Sequence, residues 1–155
     1  MPKLEVLENK KLVLKNVLIK ELRNIKLDEF EKELEDFEKS LNLLKVQVFG
    51  PLIIKTGGAD IGGDGIMTMS YRLFVQAHDF QQYKNTFLIQ ERFECPYCAY
   101  IRFEGNPNDM RYAHSKLDLY FYEQELESNG EVYSVILEES EYHIMADIFK
   151  PVIRL

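Results

Sequence analysis

Cysteine is scarce in this chain. Only Cys95 and Cys98 occur among its 155 residues, both within ECPYCAY (94–100). A zinc ribbon needs a second pair to close a tetrahedron, and a finger needs two histidines at finger spacing; the chain has neither. A thioredoxin-like redox pair places its first thiol at a helix N-terminus, where the dipole lowers its pKa. Here the residues that follow, AYIRFEG, read as strand. Strand parity sends Cys95 and Cys98 to opposite faces unless Pro96 turns the chain. The pair is therefore read as two structural thiols, with a redox pair and a metal shared in a dimer as the alternatives.

Long apolar runs are also missing, since no stretch approaches the roughly 18 residues of a membrane helix. No positively charged leader precedes an apolar run, so a cytoplasmic protein without membrane contact is expected. Basic residues are the minority, 19 against 26 acidic, and the net charge of −7 argues against a nucleic-acid partner, whose phosphates ask for a basic face. Catalytic signatures are absent too: no HExxH, no nucleophile elbow, no paired-carboxylate motif. His78, His114 and His143 fall on different predicted elements, none with an evident nucleophile and orienting acid. The expectation is a protein that is not an enzyme and holds no cofactor or metal. The glycine-rich GGADIGGDG (57–65) matches neither GxGxxG nor a P-loop, because no Lys-Ser/Thr follows and the next element is a strand. It reads as a long hairpin loop or mobile lid.

What the chain does contain is rhythm. It is 46% hydrophobic and of single-domain size, enough for a sizeable core. KLVLKNVLIKEL (11–22) reads as a strand with a bulge at Asn16. Leu27, Phe30, Leu34, Phe37, Leu41 and Leu44 follow at alternating spacings of three and four, which lays one apolar stripe along a helix. Asp28 and Glu31 suit a capping box at its start. Seven acids between Asp28 and Glu38 face only Lys32, a solvated helix face or, in the minority reading, an acidic docking surface. VQVFGPLIIKT (46–56) and IMTMSYRLFVQ (66–76) read as strands, the second with Met67, Met69, Tyr71, Leu73 and Val75 on one face.

After a connector (77–85) the pattern repeats. TFLIQERF and PYCAYIRFEG read as strands, and a helix enters with Asn106 as N-cap and Pro107 in its first turn. Its inner stripe is Met110, Ala113, Leu117, Tyr120, Phe121 and Gln124, and Asn129-Gly130 ends it. Residues 131–139 and 143–153 complete the set as strands. LIKELRN (18–24) echoes YIRFEGN (100–106), MSYRLFV (69–75) echoes MADIFKPV (145–152), and Gly50 and Gly130 occupy like turns. The inference is an α+β chain of two βαββ repeats, about 11–76 and 86–153, in a single domain.

CAYIRFEG, NGEVYSVILEE and ADIFKPV resemble the matching segments of the GyrI-like effector-binding family. The resemblance implies an SHS2-type fold with a concave groove between the repeats, where family members bind cationic or amphipathic small molecules or a protein such as gyrase. The glycine-rich loop, the absence of tryptophan and the EGNPN turn depart from the family pattern. No helix-turn-helix module precedes the domain, so a stand-alone domain is implied. A fainter resemblance is to small Gram-positive proteins that accompany LXG-type toxins of type VII secretion. Parity then nominates Ser70, Arg72, Tyr100, Glu104, Asp147 and Phe149 as ligand-binding residues, and the resemblance adds Tyr133, which matches the aromatic that follows the glycine in the family. A carboxylate flanked by aromatic rings holds an organic cation through Coulomb attraction and cation–π contact. Asp147 paired with Arg72 is the bland alternative. Since some GyrI-like relatives are hydrolases, Glu104 or Glu138 stays open as a general base. The functional expectation is a small-molecule-binding domain; the alternative is an interaction protein using its acidic helix and sheet edges on a partner chain.

Overall fold

The computed structural model describes residues 4–153. Six strands and two helices follow in the order β1 (Leu7–Lys26), α1 (Phe30–Leu43), β2 (Val48–Ile61), β3 (Met67–Ala77), β4 (Leu88–Gly105), α2 (Met110–Glu123), β5 (Val132–Glu139) and β6 (Ile144–Pro151). They divide between two compact units, one of Leu14–Phe93 and one of Met1–Val13 with Glu94–Leu155. Among the described residues, no helix is long and apolar enough to cross a membrane.

In the Leu14–Phe93 unit β3 lies between β1 and β2, antiparallel to both, with Leu18 opposite Val75 and Ile54 opposite Leu73. The predicted stripe of α1 packs on that sheet: Phe37 and Leu41 join Leu18, Leu22, Leu73 and Val75 in one core. The Phe37 and Phe87 rings meet edge to face at 5.6 Å. Each such buried side chain stabilises the unit by about 1.5–3 kcal/mol. The stripe frays at its ends, where Leu27 and Leu44 are exposed. The helix entry also differs from expectation. A 3₁₀ turn (Leu27–Glu29) precedes α1, and Glu29 rather than Glu31 reaches back, its Oε1 accepting from the Lys26 N–H at 3.3 Å.

Several boundaries move for identifiable reasons. β1 is longer than 11–22 and coils through left-handed Asn9, Asn16 and Asn24, a conformation asparagine tolerates better than most residues. Its pairing with β3 slips between Leu22 and Ile25. The glycine-rich segment is mostly strand: β2 continues to Ile61 and pairs with Met67–Ser70, so only residues 62–66 turn. That turn closes by the Gly62 N–H donating to the Ile66 carbonyl at 3.1 Å and the Ile66 N–H to Asp64 Oδ1 at 3.1 Å. Gly50 is left-handed, and a Cβ there would lie 3.0 Å from Gln76 Nε2. The connector carries a 3₁₀ turn, Phe80–Tyr83.

In the other unit β6 lies between β4 and β5, antiparallel to both. TFLIQERF and PYCAYIRFEG are parts of one strand, β4, rather than two. Asn106 caps as expected, its side chain accepting from the Asn108 N–H at 2.9 Å. The helix stops at Glu123, and Asn129-Gly130 instead forms the turn into β5. Ala113, Leu117 and Phe121 of α2 pack against Ala99, Ile101 and Phe103 of β4 and Ile144 and Ile148 of β6. Tyr97 is half exposed.

Candidate functional site

The sheet face turned away from α2 follows from this packing. Ala99, Ile101, Phe103, Ile144 and Ile148 occupy the helix side, so alternation places Tyr100, Arg102, Glu104, Met145, Asp147 and Phe149 on the other. Cross-strand register arranges them in rows. Phe149 faces Tyr100 on β4 and Tyr133 on β5; Asp147 faces Arg102 and Val135; Met145 faces Glu104 and Glu138.

The first row is aromatic, with the Tyr100 and Phe149 rings 5.1 Å apart and tilted by 54°. The second row is an ion pair held in a fork. Arg102 donates from Nε to Asp147 Oδ1 at 2.6 Å and from Nη2 to Oδ2 at 3.0 Å, a bidentate geometry that suits guanidinium and carboxylate. The Tyr100 hydroxyl donates to Asp147 Oδ1 at 2.7 Å. The Asp147 side chain is 15% exposed and that of Arg102 54%. Burial alone would raise the Asp147 carboxyl, but the hydrogen bonds from Arg102 and Tyr100 and the guanidinium charge outweigh it and hold it below the usual value. Burial and the bond to Asp147 push the Tyr100 phenol up to about 12.

The third row gathers metal-ligating groups that the sequence reading did not join. His143 Nε2 lies 3.5 Å from Glu104 Oε2 and 3.8 Å from Glu138 Oε2. One donor atom from each of Glu104, Glu138 and His143 falls within 4.8 Å of the others. A β-bulge makes this cluster. Pairing of β5 with β6 slips between Ile136 and Glu138, so Glu138 rather than Leu137 stands opposite Met145. Such bulges re-aim side chains. One imidazole and two carboxylates suit a divalent first-row ion. The only signal in the sequence was Glu138 five residues before His143 across a tight turn.

The remaining nominated residues belong to the Leu14–Phe93 unit. Ser70 Oγ accepts from the Asn24 N–H at 3.2 Å. Arg72 pairs with Glu21, its cross-strand neighbour, which also binds Arg23 at 3.0 Å. Asp147 therefore pairs with Arg102, not with Arg72.

No protein-family model matches the chain, and no curated protein does. Solved structures match it in shape. The EcmrR C-terminal domain superimposes with a TM-score of 0.66 at 12% identity, covering 99% of this chain and 98% of that one. A crystal structure described as a hydrolase from Listeria innocua gives 0.56 at 11% identity, with 97% and 92% covered. SAV2435, solved bound to tetraphenylphosphonium, gives 0.50 at 11% identity, with 98% and 94% covered. The likeness is one of fold. The EcmrR domain and SAV2435 have GyrI-like effector-binding folds, the arrangement that the sequence resemblance implied.

Proposed function

We propose that this protein is a GyrI-like binding domain that takes up a small organic cation on the β4–β6–β5 face. The observation that carries this reading is the juxtaposition of the aromatic row, Tyr100–Phe149–Tyr133, with the carboxylates beside it. The partly exposed rings of Tyr100 and Phe149 offer cation–π contact to a flat or globular apolar cation, with Tyr133 buried beside them. The charge balance of the face favours the same sign of ligand. Asp147, Glu104 and Glu138 bring three carboxylates against the single Arg102 guanidinium, so a cation gains field from the face even while Arg102 keeps its fork on Asp147. The neighbour bound to tetraphenylphosphonium supports this ligand chemistry. The recurrence of strand, helix, strand, strand, with the third strand central in each unit, supports a duplicated βαββ origin. Catalysis is not part of the proposal.

Titration with tetraphenylphosphonium tests it. The chain has no tryptophan and nine tyrosines, so the part of the tyrosine fluorescence change that Tyr100→Phe removes reports on the aromatic row. The ligand is expected to change that fluorescence and raise Tm, stabilisation at 100 times Kd being about 2.7 kcal/mol. Phe149→Ala should weaken binding at least tenfold. A panel of lipophilic cations that leaves both signals unmoved refutes the proposal. The competing reading, a partner chain docked on the exposed acids of α1 (Glu31, Glu35, Asp36 and Glu38), rests on their exposure. It requires a basic partner whose binding weakens steeply with salt.

A further inference from the structure

The two cysteines do not part as strand alternation demands. In an extended strand, residues three apart point to opposite faces with Cα atoms about 10 Å apart. Cys95 and Cys98 lie in β4, yet Cys98 Sγ sits 3.6 Å from Cys95 Sγ and within hydrogen-bond reach of the Cys95 carbonyl at 3.5 Å. The cause is Tyr97, whose φ of +59° is a left-handed conformation that an aromatic residue adopts under strain. Pro96 before it presets the entry, as proline does at the second position of a turn. Strand β6 then clamps the kink. Pro151 stands opposite Cys98 and has no N–H to give, and the Val152 N–H donates instead to the Tyr97 carbonyl at 2.9 Å. The fold thus maintains a strained residue in the one place that brings two thiols together.

The thiols are also unequal. Cys98 is fully buried, whereas Cys95 is part-exposed. The Cys98 thiol lies within donor reach of Cys95 Sγ, so a thiolate on Cys95 has a donor beside it. The Cys95 hydrogen bond and burial together push the Cys98 thiol up, which leaves Cys95 as the readier nucleophile.

We propose that Cys95 and Cys98 are a thiol–disulfide exchange site, oxidised to an intrachain disulfide by low-molecular-weight disulfides. Cys95 attacks one sulfur of the disulfide R–S–S–R; that bond breaks, and the first RSH leaves with the Cys95 proton. Cys98 then attacks Cys95 Sγ in the mixed disulfide, releasing the second RSH with its own proton. The dithiol loses two electrons and two protons, and the small disulfide gains them as two thiols. The sulfurs need to close by about 1.6 Å to reach bonding distance, a local movement of the kink. This site stands independently of the binding proposal.

The test uses the full chain and oxidised glutathione. The wild type should lose about 2 Da in intact mass and both alkylatable thiols, and regain them with dithiothreitol. Cys98→Ser should stop at one glutathione adduct, and Cys95→Ser should react at least tenfold more slowly because its remaining thiol is buried. A wild-type measurement covers the case in which a variant fails to fold. The oxidised fraction in glutathione buffers should depend on the square of the reduced concentration over the oxidised one, as a two-electron couple requires. Two thiols that stay alkylatable, a stable glutathione adduct on the wild type, or a disulfide between two chains would each overturn the proposal.

Discussion

Removing Arg102 isolates the ion pair at the centre of the candidate site. Asp147 has a side chain 15% exposed and takes three hydrogen bonds, two of them from Arg102. Arg102→Ala leaves the carboxylate with Tyr100 alone. Stranding a fully buried charge costs about 3–5 kcal/mol. Here one partner was half exposed and one donor remains, so the expected loss at pH 7 is about 2 kcal/mol. In a chain of this size that lowers Tm by roughly 4–8 °C.

The pH dependence separates this mechanism from lost packing. In the wild type Asp147 is held below its ordinary value, so its stabilisation is present above the unfolded pKa, about 3.9, and is lost as pH falls through the lower folded value. Without Arg102 the desolvation that the guanidinium had overcome should prevail, lifting the folded pKa above the unfolded one. The ionised carboxylate then opposes folding at neutral pH, and that penalty fades as acid protonates it. Urea unfolding should therefore show a larger gap between wild type and Arg102→Ala at pH 7 than at pH 4. Adding Asp147→Asn to the variant should recover more than half of the pH 7 loss. A gap equal at both pH values, or no recovery in the double variant, refutes the electrostatic account.

Three further outcomes follow from the same geometry. Tyr100→Phe should cost about 1 kcal/mol in urea unfolding, and the difference in alkaline ultraviolet titration between it and the wild type should show a phenol ionising near about 12. Zinc titrated by calorimetry should bind one ion per chain, with His143→Ala abolishing the heat and Leu137→Ala preserving it, because only the former belongs to the cluster with Glu104 and Glu138. Leu117→Ala should destabilise by about 2–5 kcal/mol in the same unfolding assay, since its side chain is almost wholly buried between α2 and the sheet.

The helices were legible because a 3.6-residue period survives local noise. The Phe37/Leu41 and Ala113/Leu117/Phe121 stripes land in the two cores as the spacing predicted. Strand ends were less legible because ladder pairing overrides residue preference. Gly57 and Ala59 are poor strand formers taken singly, yet β3 supplies their partners across a register shift at Gly58 and carries β2 to Ile61. The CPYC kink was hidden for a different reason. A left-handed glycine can be guessed from its residue type, but a left-handed tyrosine cannot, and its position depends on the Val152 N–H, just past β6, holding the Tyr97 carbonyl.

The same distinction governs the candidate site. Where β4 alternates without interruption, parity alone put Tyr100, Arg102 and Glu104 on one face and Ile101 and Phe103 on the other. Where β5 bulges, parity fails, since counting from Tyr133 and Val135 puts Leu137 on the site face and Glu138 on the helix side. The slip between Ile136 and Glu138 reverses that order and completes the group with Glu104 and His143. The bulge also leaves Leu137 partly exposed. A strand that exposes a leucine in order to turn a glutamate onto its neighbours' face gives up apolar burial for an acidic cluster. That exchange is the reason to look for a positively charged occupant on this side of the sheet.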